Sequence, residues 1–79
     1  MAMSDKLGVF RGDPILTVDR VDSSQQYLDP CPLCGETHRH GRPQDGVTVN
    51  QLSHKVSHCA DTGGYYIVIT AETEVIADG

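Results

Sequence analysis

Three cysteines and four histidines hold most of the chemistry this chain could do, and all seven lie between residues 31 and 59. They are Cys31, Cys34, His38, His40, His54, His58 and Cys59. Cys31-Pro32-Leu33-Cys34-Gly35 places two thiols on a tight turn. Such a turn is a half-site for zinc, because Zn²⁺ takes four soft or borderline ligands in a tetrahedron. Cys59 supplies a third thiol, so the most economical site is Cys31, Cys34, Cys59 and one histidine. His40, at Cys-x2-Cys-x5-His spacing, leaves chain enough to wrap back on the metal, and we favour it. His38 gives a tighter return. His54 lies five residues before Cys59 and suits a second half-site. His58 adjoins Cys59, and adjacent residues seldom chelate one metal. Three thiolates leave the site net negative, and Arg39, Arg42 or Lys55 would offset that charge.

Two reactive alternatives share these residues. A catalytic zinc keeps one position open for water, and hydrolysis also needs a general base. The nearest acid is Glu36, alone in a turn. Dithiol redox chemistry would use Cys-Pro-Leu-Cys, which resembles the reactive pair of glutaredoxin-like proteins. That chemistry places the first cysteine at a helix N-terminus to lower its pKa. Gly35, Gly41 and Pro43 leave no room for such a helix, and no βαβ pattern surrounds the turn. The expectation is a closed structural zinc site and no enzyme activity.

The size of the chain explains why a staple is needed, whether disulfides, a metal or oligomerisation. Its 79 residues make a single thin domain whose aromatic side chains are Phe10, Tyr27, Tyr65 and Tyr66, without tryptophan. Below about 70–80 residues a core alone rarely supplies more than about 3–5 kcal/mol, so a staple is required. An odd cysteine count disfavours a closed disulfide framework. Residues 1–10 lack the basic and apolar regions of a signal peptide, and no apolar run reaches membrane-spanning length. The cysteines therefore read as reduced thiols of a cytoplasmic protein. The net charge of −5 concentrates in residues 61–79, which carry four acids and no base. A nucleic-acid binder would show a basic footprint, and only the stretch from Arg39 to Lys55 offers a local one.

The elements that must position the ligands are short. Ile15–Val21 is rich in β-branched residues and reads as a strand, although its apolar residues do not alternate. Gln25–Leu28 is a short extended piece leading into the cysteine turn. If residues 38–40 are extended, His38 and His40 share one face. Val47–Val49 reads as a strand, and residues 51–58 fit either a helical turn or a strand. Tyr65–Thr70 is the strongest strand: each residue is aromatic or β-branched, and both faces are apolar, as a central strand requires. Phe10 is the first expected core residue and Gly12-Asp13-Pro14 an expected turn. Arg11-Gly12-Asp13 matches an integrin-binding tripeptide, a string short enough to recur by chance. Val75-Ile76 either forms an edge strand or frays. We expect a small, mostly β, zinc-stapled, zinc-ribbon-like domain with long loops. Residues 1–12 would be a flexible N-terminus, 13–72 the zinc-binding domain and 73–79 an acidic tail.

The segment Cys31-Pro32-Leu33-Cys34-Gly35-Glu36-Thr37-His38-Arg39-His40-Gly41, with Lys55-Val56-Ser57-His58-Cys59 and Gly64-Tyr65-Tyr66, resembles small zinc-finger-like proteins of actinobacteria and their phages. Those share a Cys-Pro-x-Cys-Gly…His-x-His-Gly turn and a later Arg-Val-x-His-Cys segment, where this chain has Lys55 in place of arginine. The resemblance covers roughly residues 29–68. It implies a small zinc-binding protein of phage or prophage type and implies no activity. The functional expectation is an interaction module for a protein partner, with a zinc-ribbon-like nucleic-acid binder as the alternative.

Overall fold

The structure is a computed structural model that describes residues 4–41, 49–56 and 63–76. Among them lie β1 (Lys6–Phe10), β2 (Asp13–Thr17), β3 (Arg20–Val21), β4 (Gln25–Leu28), β5 (His38–Gly41), β6 (Leu52–Lys55), β7 (Tyr65–Val68) and β8 (Glu74–Val75). They form two mixed four-stranded sheets, ordered β1-β2-β7-β6 and β5-β4-β3-β8. The described residues therefore form a small, all-β arrangement. No helix among the described residues is long and apolar enough to cross a membrane.

β7 is central in its sheet, parallel to β2 and antiparallel to β6. Its alternation decides the packing. Tyr65, Ile67 and Ile69 are 0%, 1% and 4% exposed and join Leu16, Val18, Leu28 and Cys31 in one apolar cluster, with Leu33 packed against it. Leu28 belongs to the second sheet, so the core lies between the two layers. Cys31 belongs to this core.

The expected strand Ile15–Val21 is two strands. Val18 N–H donates to Val68 O, in the sheet of β2 and β7, while Asp19 N–H donates to Tyr27 O in the other sheet (both 2.9 Å). Consecutive residues thus belong to different layers, and the run Leu16, Thr17, Val18 and Asp19 is buried throughout. A chain stepping between sheets cannot keep a period of two, which is why the sequence shows no clean alternation.

Three further expectations differ from the structure. Lys6–Phe10 is not a loose start but pairs with β2. Arg11 and Gly12 form the hairpin turn with φ of 52° and 86°, a type I′ geometry that matches the twist of the flanking strands. The turn therefore comes before Asp13-Pro14, which lie in β2. Phe10 is 39% exposed and packs edge-on to Tyr66 on the outer face of the sheet, not in the core. At the other end, the edge-strand alternative for Val75-Ile76 holds: β8 pairs in parallel with β3 at the edge of its sheet, and the Thr73 hydroxyl donates to Val18 O at 2.8 Å. Residues 73–76 are docked on the domain. Residues 52–55 resolve to a strand, and Val49 forms an isolated bridge with Ile69. Val47 and Thr48 lie outside the described residues.

Candidate metal centre

β4 delivers the chain to the cysteine turn and β5 carries it away. The two pair antiparallel, Leu28 opposite His38 and Gln26 opposite His40, so residues 29–37 form a closed loop. Within it Cys31 N–H donates to Glu36 O at 2.7 Å and Gly35 N–H donates to Cys31 O at 2.8 Å. Gly35 has φ of 81°, a left-handed conformation that glycine adopts without steric cost and that reverses the chain behind Cys34.

This geometry brings Cys31, Cys34 and His38 together. Their ligand atoms all lie within 4.8 Å of one another, and Cys34 Sγ stands 3.1 Å from His38 Nε2. Zinc bonds of about 2.0–2.3 Å place tetrahedral ligand atoms about 3.3–3.8 Å apart, so closure needs side-chain shifts of only about 1 Å. Cys31 is buried, His38 half-buried and Cys34 exposed. The cluster straddles the boundary between core and solvent.

His40, the histidine favoured from spacing, is absent from this group. Its Nε2 is hydrogen-bonded to the Tyr65 hydroxyl, and its ring meets the Tyr65 ring edge-on with centroids 5.5 Å apart. Burial lowers its pKa below the usual histidine value, with smaller contributions from Lys55 and His38. The reason is register. His38 and His40 share a face, as expected, but each strand residue advances about 3.3 Å, so His40 stands one full repeat further from the cysteines. His54 sits elsewhere again, with Nε2 2.9 Å from Asp13 Oδ2 and its ring against Tyr66. His58 and Cys59 lie outside the described residues.

Around the loop stands a polar frame that the sequence reading did not single out. Asp29 accepts from Arg20 Nη1 at Oδ2 (2.8 Å) and from the Thr37 hydroxyl at Oδ1 (2.9 Å). Arg20 also donates to Asp19 at 3.1 Å, and its guanidinium carbon lies 4.3 Å from the Tyr27 ring centroid. Arg20 and then Thr37 hold the Asp29 carboxyl below the usual carboxylate range. The available signal was the position of Asp29 and Thr37, immediately outside Pro30-Cys31 and before His38.

No family model matches this chain, and neither a curated protein nor a solved structure shows significant similarity to it.

Proposed function

We propose that this chain is a zinc-stapled β domain that acts by binding a protein partner and has no enzyme activity. The observation that carries the reading is the convergence of Cys31, Cys34 and His38 at the edge of the core. In this proposal His38 takes the place first given to His40, and Cys59 remains the fourth ligand on the sequence argument. Thiolates with an imidazole suit zinc better than harder cations. Four protein ligands would close the site, which makes it structural. Because Cys31 is a core residue, losing the metal would expose the core as well as the thiols.

A protein partner is favoured by the strand edges and the charge. β1 is the terminal strand of its sheet among the described residues, and its Leu7 and Val9 are 60% and 61% exposed. An edge of this kind is the template for strand addition. The net charge of −5 opposes a phosphate backbone. Tyr65, one of two tyrosines available for base stacking, is fully buried. The small zinc-finger-like phage proteins that the motif resembles fit the same picture, with the host cytoplasm as its setting.

Native mass spectrometry with and without chelator tests the metal: the expected result is a single zinc per chain, lost together with the compact charge-state distribution. A metal-free chain with an unchanged compact distribution would sink the reading. Titration with single- and double-stranded DNA across salt concentrations tests the partner class. Affinity that falls steeply with salt would point to nucleic acid instead.

A further inference from the structure

Of the three clustered ligands, Cys31 and Cys34 sit on one short loop that little apolar burial holds in place, and His38 opens β5 directly after it. Pro32, Cys34, Gly35, Glu36 and Thr37 are all exposed, and only Cys31 and Leu33 reach the core. A free loop would lose its conformational freedom at the moment of metal binding and weaken affinity accordingly. The structure supplies a different constraint at the mouth of the loop.

Asp29 stands one residue before Pro30-Cys31 and Thr37 one residue before His38. The Thr37 hydroxyl donates to Asp29 Oδ1 at 2.9 Å, joining the two limbs directly. Asp29 Oδ2 accepts from Arg20 Nη1 at 2.8 Å, and Asp29 N–H donates to Ser4 Oγ at 3.3 Å. These two bonds anchor the limb to β3 and to the N-terminal segment. Neither Asp29 nor Thr37 belongs to the ligand cluster.

We propose that Asp29 is a positioning residue for the metal centre, its carboxylate shared between Thr37 and Arg20 so that the Cys31 and His38 limbs stand at their binding separation before the ion arrives. The inference rests on the metal reading above. Arg20 fixes where the carboxylate lies, Asp29 fixes Thr37, and Thr37 fixes the backbone from which His38 projects. Outer-shell partners of this kind commonly change metal affinity by about 10–100-fold.

Cobalt(II) is the probe, because thiolate-to-cobalt absorption reports both ligand identity and occupancy, and zinc displaces it for competition. The wild-type chain, Thr37→Val, Thr37→Ser and Asp29→Ala are titrated at neutral pH. Thr37→Val is expected to weaken cobalt binding about tenfold while the saturated spectrum keeps its shape. Thr37→Ser, which restores the hydroxyl, is expected to return to wild-type affinity. Asp29→Ala loses both bonds and is expected to weaken binding further. Should Asp29→Ala fail to fold, the exposed Thr37 pair decides the matter. If Thr37→Val binds cobalt as tightly as the wild type, the proposal is overturned, even if the variant melts at lower temperature. If the wild-type chain gives no thiolate–cobalt band, the metal centre itself is wrong, and this inference falls with it.

Discussion

β7 and the loop between Asp29 and His38 lie against the same core but are held in opposite ways. β7 is flanked by β2 and β6, and its inward side chains Tyr65 and Ile67 are almost fully buried. Burial and backbone pairing are enough to define it. The loop buries Cys31 and partly Leu33, exposes the rest, and depends on Asp29, Thr37, Gly35 and the ligand cluster. One region is specified by apolar area and the other by a small number of polar bonds. A small domain can therefore have a well-made sheet and still lack the means to close its core, because the last wall of that core is the loop.

Removing the proposed metal should separate the two regions most visibly. Chelation, or Cys31→Ser, is expected to abolish cooperative unfolding, because metal affinity in small domains is folding energy. Thermal circular dichroism in EDTA checks this, and a sharp transition retained there would show that β7 and its neighbours suffice alone. Tyr65→Ala should destabilise by about 3–5 kcal/mol, the range for removing a buried aromatic side chain, read from denaturant midpoints in the metal-loaded protein. The Tyr65 ring also stands against that of His38, with centroids 6.5 Å apart, so the same variant should lower cobalt affinity, and unchanged affinity would separate the two regions completely.

Gly64→Ala should cost about 1–3 kcal/mol, the usual penalty of overpacking. A β-carbon there would stand 2.5 Å from Lys55 O, which is backbone and cannot step aside. The effect should appear in the unfolding midpoint and leave the cobalt spectrum unchanged. The smallest effect concerns the turn between β3 and β4. Asp22 accepts from the N–H groups of Ser24 and Gln25 and from the Tyr27 hydroxyl. Chiefly the Ser24 N–H bond, then Tyr27, lowers its pKa from 3.8 to about 2. A carboxylate lowered in the folded state stabilises fully above its unfolded value and loses that contribution as pH falls through the folded one. Wild type and Asp22→Asn should differ in denaturation midpoint at pH 5 and converge as pH approaches 2. A constant gap across that window would remove the carboxylate as the cause.

The same contrast governs what the sequence discloses. Tyr65–Thr70 is legible because both of its faces are apolar, and the structure places its first four residues, Tyr65–Val68, centrally in their sheet. The shared face of His38 and His40 is equally legible, since alternation is local. Which ring meets Cys34 is not, because that depends on Leu28 pairing with His38, a register set by the β4–β5 ladder. The division of Ile15–Val21 between two sheets left a sign in the missing alternation, but its meaning required knowing that Val68 and Tyr27 lie on different layers. Lys6–Phe10 looked mobile because Lys6 and Gly8 are poor strand formers, and its hairpin follows from the turn at Arg11-Gly12. Asp29 and Thr37 passed unnoticed because a carboxylate and a hydroxyl outside a motif have no pattern of their own.

The parallel pairing of β2 with β7 has a consequence for the birth of the chain. Ile15 meets Tyr66, and Arg20 meets Glu74, so each layer joins an early segment to a late one. During synthesis β2 must wait, with only β1 beside it, until Tyr65–Val68 has emerged, and such long-range parallel pairing is slow to form. A nascent chain halted before Tyr65 should therefore be open to protease along β2, and one released after Ile76 should be resistant. Closure of each sheet thus waits for its late strand, which arrives to cover an edge exposed from the start.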